Sequence, residues 1–127
     1  MKIYLASRFS DREVLRGYAQ ELWALGHIVT SSWLGEHPRP PHMSEDEHAR
    51  KTAIKDLLDI QEADLIIRFL HDQSATGGAD TEVGYALATG KLLWVLGPYR
   101  NIFHRLADQR FDSWGEAKEQ LGSMASE

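Results

Sequence analysis

The order of apolar runs along the chain is the feature that most constrains its fold. Four short runs of strand-forming residues alternate with three segments in which apolar residues recur at helical spacing. The strand-like runs span residues 2–6, 27–30, 65–70 and 92–97. This alternation is typical of a doubly wound α/β sheet, in which parallel strands lie between two layers of helices. We therefore predict a flavodoxin-like, three-layer α/β/α fold with a parallel sheet of about four to five strands.

Capping signals set the expected ends of the helices. Ser10, with Glu13 three residues later, predicts a helix start, and Gly26 is a natural end for that helix. The acidic run that begins at Ser44 predicts a second helix, which continues to about residue 63. The remaining expected elements are a short helix over residues 81–90, a shorter one over 101–106, an edge strand over 110–112 and a last helix over 114–121 capped by Ser113.

The length and charge of the chain limit the classes of function open to it. Its 127 residues, 43% of them hydrophobic, suffice for one core, so we expect a single domain over residues 1–127. Fourteen Lys and Arg residues against nineteen Asp and Glu residues give a net charge of −5. Binding a polymeric nucleic acid needs a basic protein surface, so this composition argues against such a partner. A small phosphorylated ligand is still compatible with it.

The chain has no cysteine, which removes further classes. Disulfide scaffolds, thiolate zinc sites and cysteine nucleophiles are all excluded. None of the six histidines pairs at HxxxH or HxH spacing, and we predict no metal site.

The first apolar run is too short for a secretory signal, and no segment approaches the roughly 20 apolar residues of a membrane span. We therefore expect a cytoplasmic protein without a membrane partner.

Four loops of the predicted sheet are candidates for a binding site, because ligands of such sheets bind at the carboxyl ends of the strands. These loops span residues 7–11, 31–43, 71–80 and 97–104. The second loop contains three prolines and is expected to lack regular structure. A loop of that length in a compact domain is usually a lid or a binding loop. Its Trp33 could stack on a planar base or seal an edge of the core.

Glu82 is the candidate nucleophile. The pattern places it in the first turn of a helix that follows Gly77 and Gly78, where backbone N–H groups favour a charged carboxylate. A carboxylate in that position should be ionised at neutral pH and able to attack an electrophile. The alternative is a helix-capping acid without a catalytic role. The two glycines likewise either allow a ligand to approach the backbone closely or form a plain turn.

Other polar residues could complete a site around Glu82. Asp56 lies beside the apolar face of the second helix, where desolvation would suit it to proton donation, although a surface acid is the alternative and Asp59 competes for the same role. Tyr4, near the end of the first strand, could hydrogen-bond to a catalytic carboxylate or belong to the core. Ser7 and Arg8 follow that strand and could hold a phosphate or a hydroxyl group.

Three segments together resemble the nucleoside 2-deoxyribosyltransferase family, over about residues 2–104. The segments are KIYLASRFSDRE, DLLDIQEADLII and TEVGYALATGK. The first is similar to the family's strand tyrosine with its FSDR turn, and the second to its helix acid followed by D-L-x-x-I-x-x-x-D. The third, which is the most specific, is similar to the nucleophile helix with its E-L-G-Y-A pattern. The order and spacing of the three segments also match.

The resemblance implies roles for particular residues. Glu82 would attack C1′ of a deoxyribose, Tyr4 would orient Glu82, and Asp56 would contact the base and assist its protonation. Asn101, in RNIFH, looks like the family's asparagine that reaches into the neighbouring subunit's site, which implies a homodimer or a higher homo-oligomer. The implied partners are a deoxynucleoside or deoxynucleotide and a free nucleobase. No cofactor is implied.

The chain departs from the family at the position that would contact the sugar. The transferases carry an acid six residues before the nucleophile, where this chain has Thr76, with Ser74 close by. The related deoxynucleoside 5′-monophosphate N-glycosidases place a hydroxyl residue there to bind phosphate. This chain lacks their Ser-x-Arg-Gly-Gly turn, which Arg8 replaces only in part.

A deoxyribosyltransferase is the leading hypothesis, and a monophosphate N-glycosidase and a non-catalytic nucleotide sensor are the alternatives. A flavin binder would need a phosphate loop after the first strand.

Overall fold

A five-stranded parallel sheet forms the centre of the computed structural model, which describes residues 1–35, 38–70 and 77–125. In the order β2-β1-β3-β4-β5, the strands are β1 (Lys2–Ala6), β2 (Ile28–Val29), β3 (Leu65–Phe69), β4 (Leu92–Leu96) and β5 (Gln109–Phe111). The described helices are α1 (Arg12–Ala24), α2 (Glu45–Glu62), α3 (Gly78–Ala88) and α4 (Trp114–Ala125). The predicted α/β fold with a parallel sheet is therefore confirmed.

The helices form one layer on each face of the sheet. On one face, the ring of Phe69 in β3 lies 5.7 Å from Tyr18 of α1 and 5.9 Å from Trp114 of α4, measured between ring centroids. On the other face, Tyr4 of β1 reaches Glu82 of α3, and α2 packs against α3. Every residue of β3 is buried, as is typical of a parallel strand covered on both faces.

The strand order reverses between β1 and β3, and this position determines where a ligand can bind. The chain leaves β1 for the edge strand β2, then returns through α2 to β3 on the other side of β1. The loops that follow β1 and β3 therefore diverge to opposite faces, and a crevice opens between them at the carboxyl ends of the strands.

The first helix starts later than the capping signal at Ser10 predicts. Residues Phe9–Asp11 form a 3₁₀ turn, and α1 begins at Arg12 with Asp11 as its N-cap residue. The Asp11 carboxylate makes no capping bond, because it accepts hydrogen bonds from Ser7 Oγ at 2.6 Å and from Arg8 Nε at 3.1 Å. The predicted capping box is therefore wrong, and its place is taken by contacts that hold the loop after β1.

The loop after β2 also differs from the expectation. Residues Ser32–Gly35 form a 3₁₀ turn, so the prediction that residues 31–43 lack regular structure is wrong for these four. Trp33 is buried in this turn and donates from Nε1 to the Leu5 carbonyl oxygen at 2.9 Å. Of the two roles predicted for Trp33, the structure shows packing against the sheet, and the residue also lines the crevice.

Other boundaries agree with the predictions to within a few residues. The side chain of Ser44 caps α2 by accepting from the Glu47 N–H at 3.1 Å, and Asn101 caps a 3₁₀ turn over Ile102–Leu106. Helix α3 starts three residues before Thr81, because Gly77 adopts a left-handed conformation with φ of 98° that turns the chain into the helix. Helix α4 extends to Ala125, beyond the predicted end at Leu121. None of the helices in the described ranges has the length and apolar content needed to cross a membrane.

Candidate active site

A cavity of about 610 Å³ opens at the carboxyl end of β1, between α2 and α3. This volume lies within the range of pockets that enclose a small organic ligand. Its walls come from the loop after β1, the 3₁₀ turn after β2, the middle of α2 and the start of α3. The lining residues are Ser7, Arg8, Phe9, Ser10, Trp33, Thr52, Ala53, Asp56, Leu57, Gly78, Ala79, Thr81 and Glu82.

Tyr4 contacts Glu82, which lines this cavity. The Tyr4 hydroxyl donates a hydrogen bond to Glu82 Oε2, across 78 residues of sequence. Tyr4 is fully buried, and burial, followed by the negative charge of Glu82, raises its pKa above the usual range. The phenol therefore stays protonated and acts as a fixed donor. The resemblance implied that Tyr4 orients Glu82, and the geometry is consistent with that role.

The protonation state of Glu82 differs from the expectation. Glu82 is the fifth residue of α3, and the acid of the first turn is Asp80 instead. The helix dipole is strongest within the first turn, so its effect at Glu82 is small. Burial raises the pKa of Glu82 to about 8, with a further rise from Asp56, while the Tyr4 hydrogen bond and Arg68 oppose that rise. Most of the Glu82 carboxyl groups are consequently protonated at neutral pH rather than ionised.

This pKa makes stability depend on pH. Between the ordinary carboxyl pKa of 4.5 and the folded value of about 8, the unfolded chain releases the Glu82 proton while the folded chain keeps it. The free energy of unfolding therefore falls as pH rises through that interval. In Glu82→Gln this loss disappears, and the amide oxygen can still accept from Tyr4. We expect the difference in free energy of unfolding between Glu82→Gln and the parent to be about 1–3 kcal/mol more favourable to the variant at pH 9 than at pH 5. The melting temperature of the variant should rise relative to that of the parent by a corresponding amount.

The control for this measurement is Glu119→Gln, on the exposed side of α4. Its melting temperature should follow that of the parent at both ends of the pH range. A Glu82→Gln variant with the same pH dependence as the parent would contradict the raised pKa.

Asp56, and not Asp59, faces the cavity. The Asp59 carboxylate is buried and accepts from the Ser32 N–H at 3.0 Å, from Ser32 Oγ and from Lys55 Nζ at 3.3 Å. Its role is to tie the 3₁₀ turn after β2 to α2. Asp56 is half-buried in the cavity wall, and its charge raises the pKa of both Glu82 and Tyr4. Of the two acids that the sequence left in competition, Asp56 is the one that lines the cavity.

Three of the predicted substrate-binding residues in the loops after β1 and β2 line the cavity, namely Ser7, Arg8 and Trp33. Ser7 and Arg8 are both bonded to Asp11, which fixes the loop that carries them. Gly78 also lines the cavity, and Gly77 precedes it as the N-cap residue of α3. Thr76 lies outside the described residues.

Asn101 is not brought to the cavity of its own chain. Its Oδ1 atom accepts from the N–H groups of Phe103 at 2.9 Å and His104 at 3.1 Å, and the residue is exposed. The expectation that it serves a neighbouring subunit stays a prediction.

Several cavity residues were not singled out from the sequence. Thr52 and Ala53 share a face of α2 with Asp56, since they lie four and three positions before it, and Leu57 is its neighbour in sequence. Helical spacing from Asp56 could have identified Thr52 and Ala53. Phe9 and Ser10 lie in a loop that the sequence did select. The Phe9 ring lies 6.4 Å from that of Trp33, and the residue is 53% exposed at the cavity opening.

No group of three or more His, Asp or Glu side chains within the described ranges is arranged to hold a metal ion. The polar groups that line the cavity are instead hydroxyls, two carboxyl groups and one guanidinium. Such a set suits a polar organic ligand that is bound by hydrogen bonds.

The sequence also matches a known family. A family model described as nucleoside 2-deoxyribosyltransferase matches residues 3–120, which include Tyr4, Asp56 and Glu82. The chain belongs to the nucleoside 2-deoxyribosyltransferase family. The resemblance found in the three sequence segments is thereby confirmed. Among curated proteins, none matches the sequence significantly.

Solved structures similar to this member of the nucleoside 2-deoxyribosyltransferase family support the fold. A 2-deoxyribosyltransferase from Bacillus psychrosaccharolyticus has 23% identity and a TM-score of 0.76, with 95% of this chain and 96% of that chain covered. The Clostridium botulinum CMP N-glycosidase BcmB has 22% identity and a TM-score of 0.63, with 95% and 98% covered. A conserved protein from Enterococcus faecalis V583 has 15% identity and a TM-score of 0.73, with 98% of each chain covered.

Proposed function

We propose that the protein cleaves the N-glycosidic bond of 2′-deoxynucleosides through a covalent deoxyribosyl-Glu82 intermediate and transfers the sugar to another base. The observation that carries this proposal is the hydrogen bond from Tyr4 to Glu82 in the wall of a cavity that also contains Asp56. Retaining glycoside chemistry uses two carboxyl groups, one as the nucleophile and one as the acid and base, and Glu82 and Asp56 both line this cavity.

In the first step, an oxygen of Glu82 attacks C1′ of the deoxyribose. Tyr4 binds Oε2, which leaves Oε1 as the attacking atom. A C1′–O ester bond forms while the C1′–N bond breaks, and its electron pair goes to the base. Positive charge develops at C1′ in the transition state, and the nearby carboxylate stabilises it.

Asp56 handles the proton of the leaving base. The pair of carboxyl groups holds one proton, which lies mostly on Glu82 at neutral pH. Attack requires this proton to move to Asp56, which leaves a negative charge on Glu82. Asp56 passes that proton to the base nitrogen as the bond breaks and becomes a carboxylate. A second base then loses its N–H proton to Asp56 and attacks C1′, which releases Glu82. Two displacements at C1′ give retention of configuration.

The rest of the cavity supplies binding groups for the two ends of the substrate. Ser7, Arg8 and the Gly77-Gly78 turn, preceded by Thr76, are assigned to the sugar and its 5′ position. Trp33 is assigned to the base, and the ring of Phe9 stands beside it at 6.4 Å. Flat aromatic surfaces suit a nucleobase because they stack on it without requiring one particular base.

A second copy of the chain completes the proposed site. Asn101 is exposed, and three residues that follow it are exposed apolar side chains: Ile102 at 72%, Phe103 at 56% and Leu106 at 61%. Neighbouring apolar side chains at a surface favour association with a partner. We assign this surface to a homo-oligomer, at least a dimer, in which Asn101 reaches the neighbouring site.

A 5′-monophosphate N-glycosidase is the second candidate. Ser7, Arg8 and Ser10 bring two hydroxyls and a guanidinium to one loop of the cavity, and this combination can bind a phosphate group. In that enzyme water would attack the deoxyribosyl-Glu82 ester in place of a second base.

Incubation of the protein with 2′-deoxyadenosine and free cytosine tests the transferase. We expect 2′-deoxycytidine to form, detected by chromatography, and the same exchange with other pairs of bases. Release of adenine without a new nucleoside, and only from 2′-deoxyadenosine 5′-monophosphate, would establish the N-glycosidase instead. If neither reaction occurs over a panel of purine and pyrimidine deoxynucleosides and their monophosphates, the proposed activity is wrong.

A further inference from the structure

Arg68 is a buried cation on the reactive side of the sheet. Its side chain is 2% exposed. The register of β3 against β1 pairs it with Ala6, which lies on the same face of β1 as Tyr4. Nε donates to Asp80 Oδ1 at 2.9 Å and Nη1 donates to the Phe69 carbonyl oxygen at 2.7 Å. Nη2 is buried without a hydrogen-bond partner among the described residues.

Asp80 holds the guanidinium in place. Its Oδ1 atom also accepts from His104 Nε2 at 2.8 Å. The other ring nitrogen, Nδ1, accepts from the Arg100 N–H at 3.2 Å, so the ring proton lies on Nε2 and points to Asp80. Burial raises the pKa of Asp80, but the hydrogen bonds from Arg68 and His104 outweigh that effect and hold the pKa below its usual range. Asp80 is therefore an anion that anchors Arg68.

The residues of this cluster do not line the cavity. Residues on both sides of Asp80 line the cavity, including Glu82, whereas Arg68, Asp80 and His104 do not. Among the cavity residues, Glu82 is the one on which the charge of Arg68 acts.

Resting on the proposed function, we propose that Arg68 is a positioning residue for Glu82, whose buried guanidinium, anchored by Asp80, is the counter-charge that stabilises Glu82 as the attacking carboxylate. A purely structural arginine would be expected to use its N–H groups in hydrogen bonds, because a buried unpaired donor costs free energy. The unpartnered Nη2 indicates that the charge itself, rather than a full set of hydrogen bonds, is what this position supplies.

Two arginines lie near Glu82, namely Arg8, which lines the same cavity, and Arg68, whose charge lowers the pKa of Glu82. Tyr4 of β1 hydrogen-bonds to Glu82, and the charges of Asp56 and Asp59 on α2 and of Arg68 on β3 act on it. Both aspartates raise the pKa of Glu82, whereas Arg68 lowers it, as does the hydrogen bond from Tyr4. Among the described groups that shift this pKa, Arg68 is the cation. Without it, Glu82 would be ionised only at a more alkaline pH.

Carboxyl-carbon NMR of Glu82 across a pH titration tests the inference, with the resonance assigned by its loss in Glu82→Gln. In Arg68→Met we expect the midpoint to rise by about one pH unit from the parent value. In Asp80→Asn we expect the midpoint of the Glu82 titration to fall. The Asn oxygen keeps both hydrogen bonds, but it no longer neutralises the charge of Arg68, so that charge stabilises the Glu82 carboxylate more strongly. Arg68→Lys, which retains the charge, should stay closer to the parent than Arg68→Met does.

Opposite shifts from Arg68→Met and Asp80→Asn support the counter-charge, since loss of structure alone would not move the midpoint in two directions. Unmoved midpoints, or shifts of the same sign, overturn it. Where Arg68→Met fails to fold, Asp80→Asn decides the question, and a midpoint that does not fall overturns the inference. The titration can be measured without any enzymatic turnover. Opposite shifts in a protein that does not cleave the glycosidic bond would therefore overturn the proposed function but not the role of Arg68. Base exchange with unmoved midpoints would overturn the role of Arg68 alone.

Discussion

Glu82→Gln is expected to lower the rate of base exchange by a factor on the order of 10⁴ or more. The amide has nearly the shape of the carboxyl group and can still accept the hydrogen bond from Tyr4, so the cavity should be preserved. Its oxygen carries no charge, however, and cannot form a stable ester with C1′ or stabilise positive charge there. The effect should therefore fall on kcat, with the affinity for a deoxynucleoside retained in a calorimetric titration.

Mass spectrometry of the intact protein gives the most direct measurement. After exposure to a deoxynucleoside without an acceptor base, the parent should gain the mass of one deoxyribosyl group, and peptide mapping should place it on Glu82. Glu82→Gln should gain nothing, while Glu119→Gln, on the exposed side of α4, should behave as the parent does. A normal rate in Glu82→Gln would remove the mechanism and favour a nucleotide sensor, which needs the cavity but not this carboxylate.

The fold could be predicted from the sequence because local patterns determine most of it. The apolar run at residues 65–70 indicates a strand buried on both faces, and β3 over Leu65–Phe69 is fully buried. Ser44 and the acids after it predict the start of α2, and the Ser44 side chain does cap that helix. The residues that form each of these patterns lie within, or next to, the strand or helix that they predict. The capping pattern at Ser10 failed because Asp11 is engaged by Ser7 and Arg8, and sequence spacing does not reveal that competition.

The candidate site could be located but not fully characterised from the sequence. The nucleophile-helix pattern identifies Glu82, yet its pKa depends on burial and on groups from β1, α2 and β3 that are distant in the sequence. The local pattern, a helix start after two glycines, predicted an ionised group, and the assembled environment reverses that prediction. Asp56 and Asp59 illustrate the same limit, because both lie on α2 and only the contacts of Ser32 show which one is already occupied.

Asp56→Asn is expected to slow the exchange of ordinary bases by about 10²–10⁴-fold, the usual contribution of a positioned proton donor. An adenine or cytosine that leaves C1′ carries the electron pair of the broken bond, and a proton on its nitrogen stabilises it. The asparagine keeps the shape of Asp56 in the cavity wall but cannot deliver that proton. The same change also removes a negative charge that raises the pKa of Glu82, so more Glu82 is ionised and attack itself is not impaired.

The choice of leaving group isolates this role. In 7-methyl-2′-deoxyguanosine the base already carries a positive charge and leaves without a proton, so Asp56→Asn should process it at close to the parent rate. Asp59→Asn provides the matched control, because it makes the same substitution one turn away, on a residue bonded to Ser32 and Lys55. That variant should lose stability without a preference for the methylated substrate. If Asp56→Asn slowed both substrates equally, Asp56 would position the base rather than protonate it, and the proton would have to come from elsewhere in the cavity.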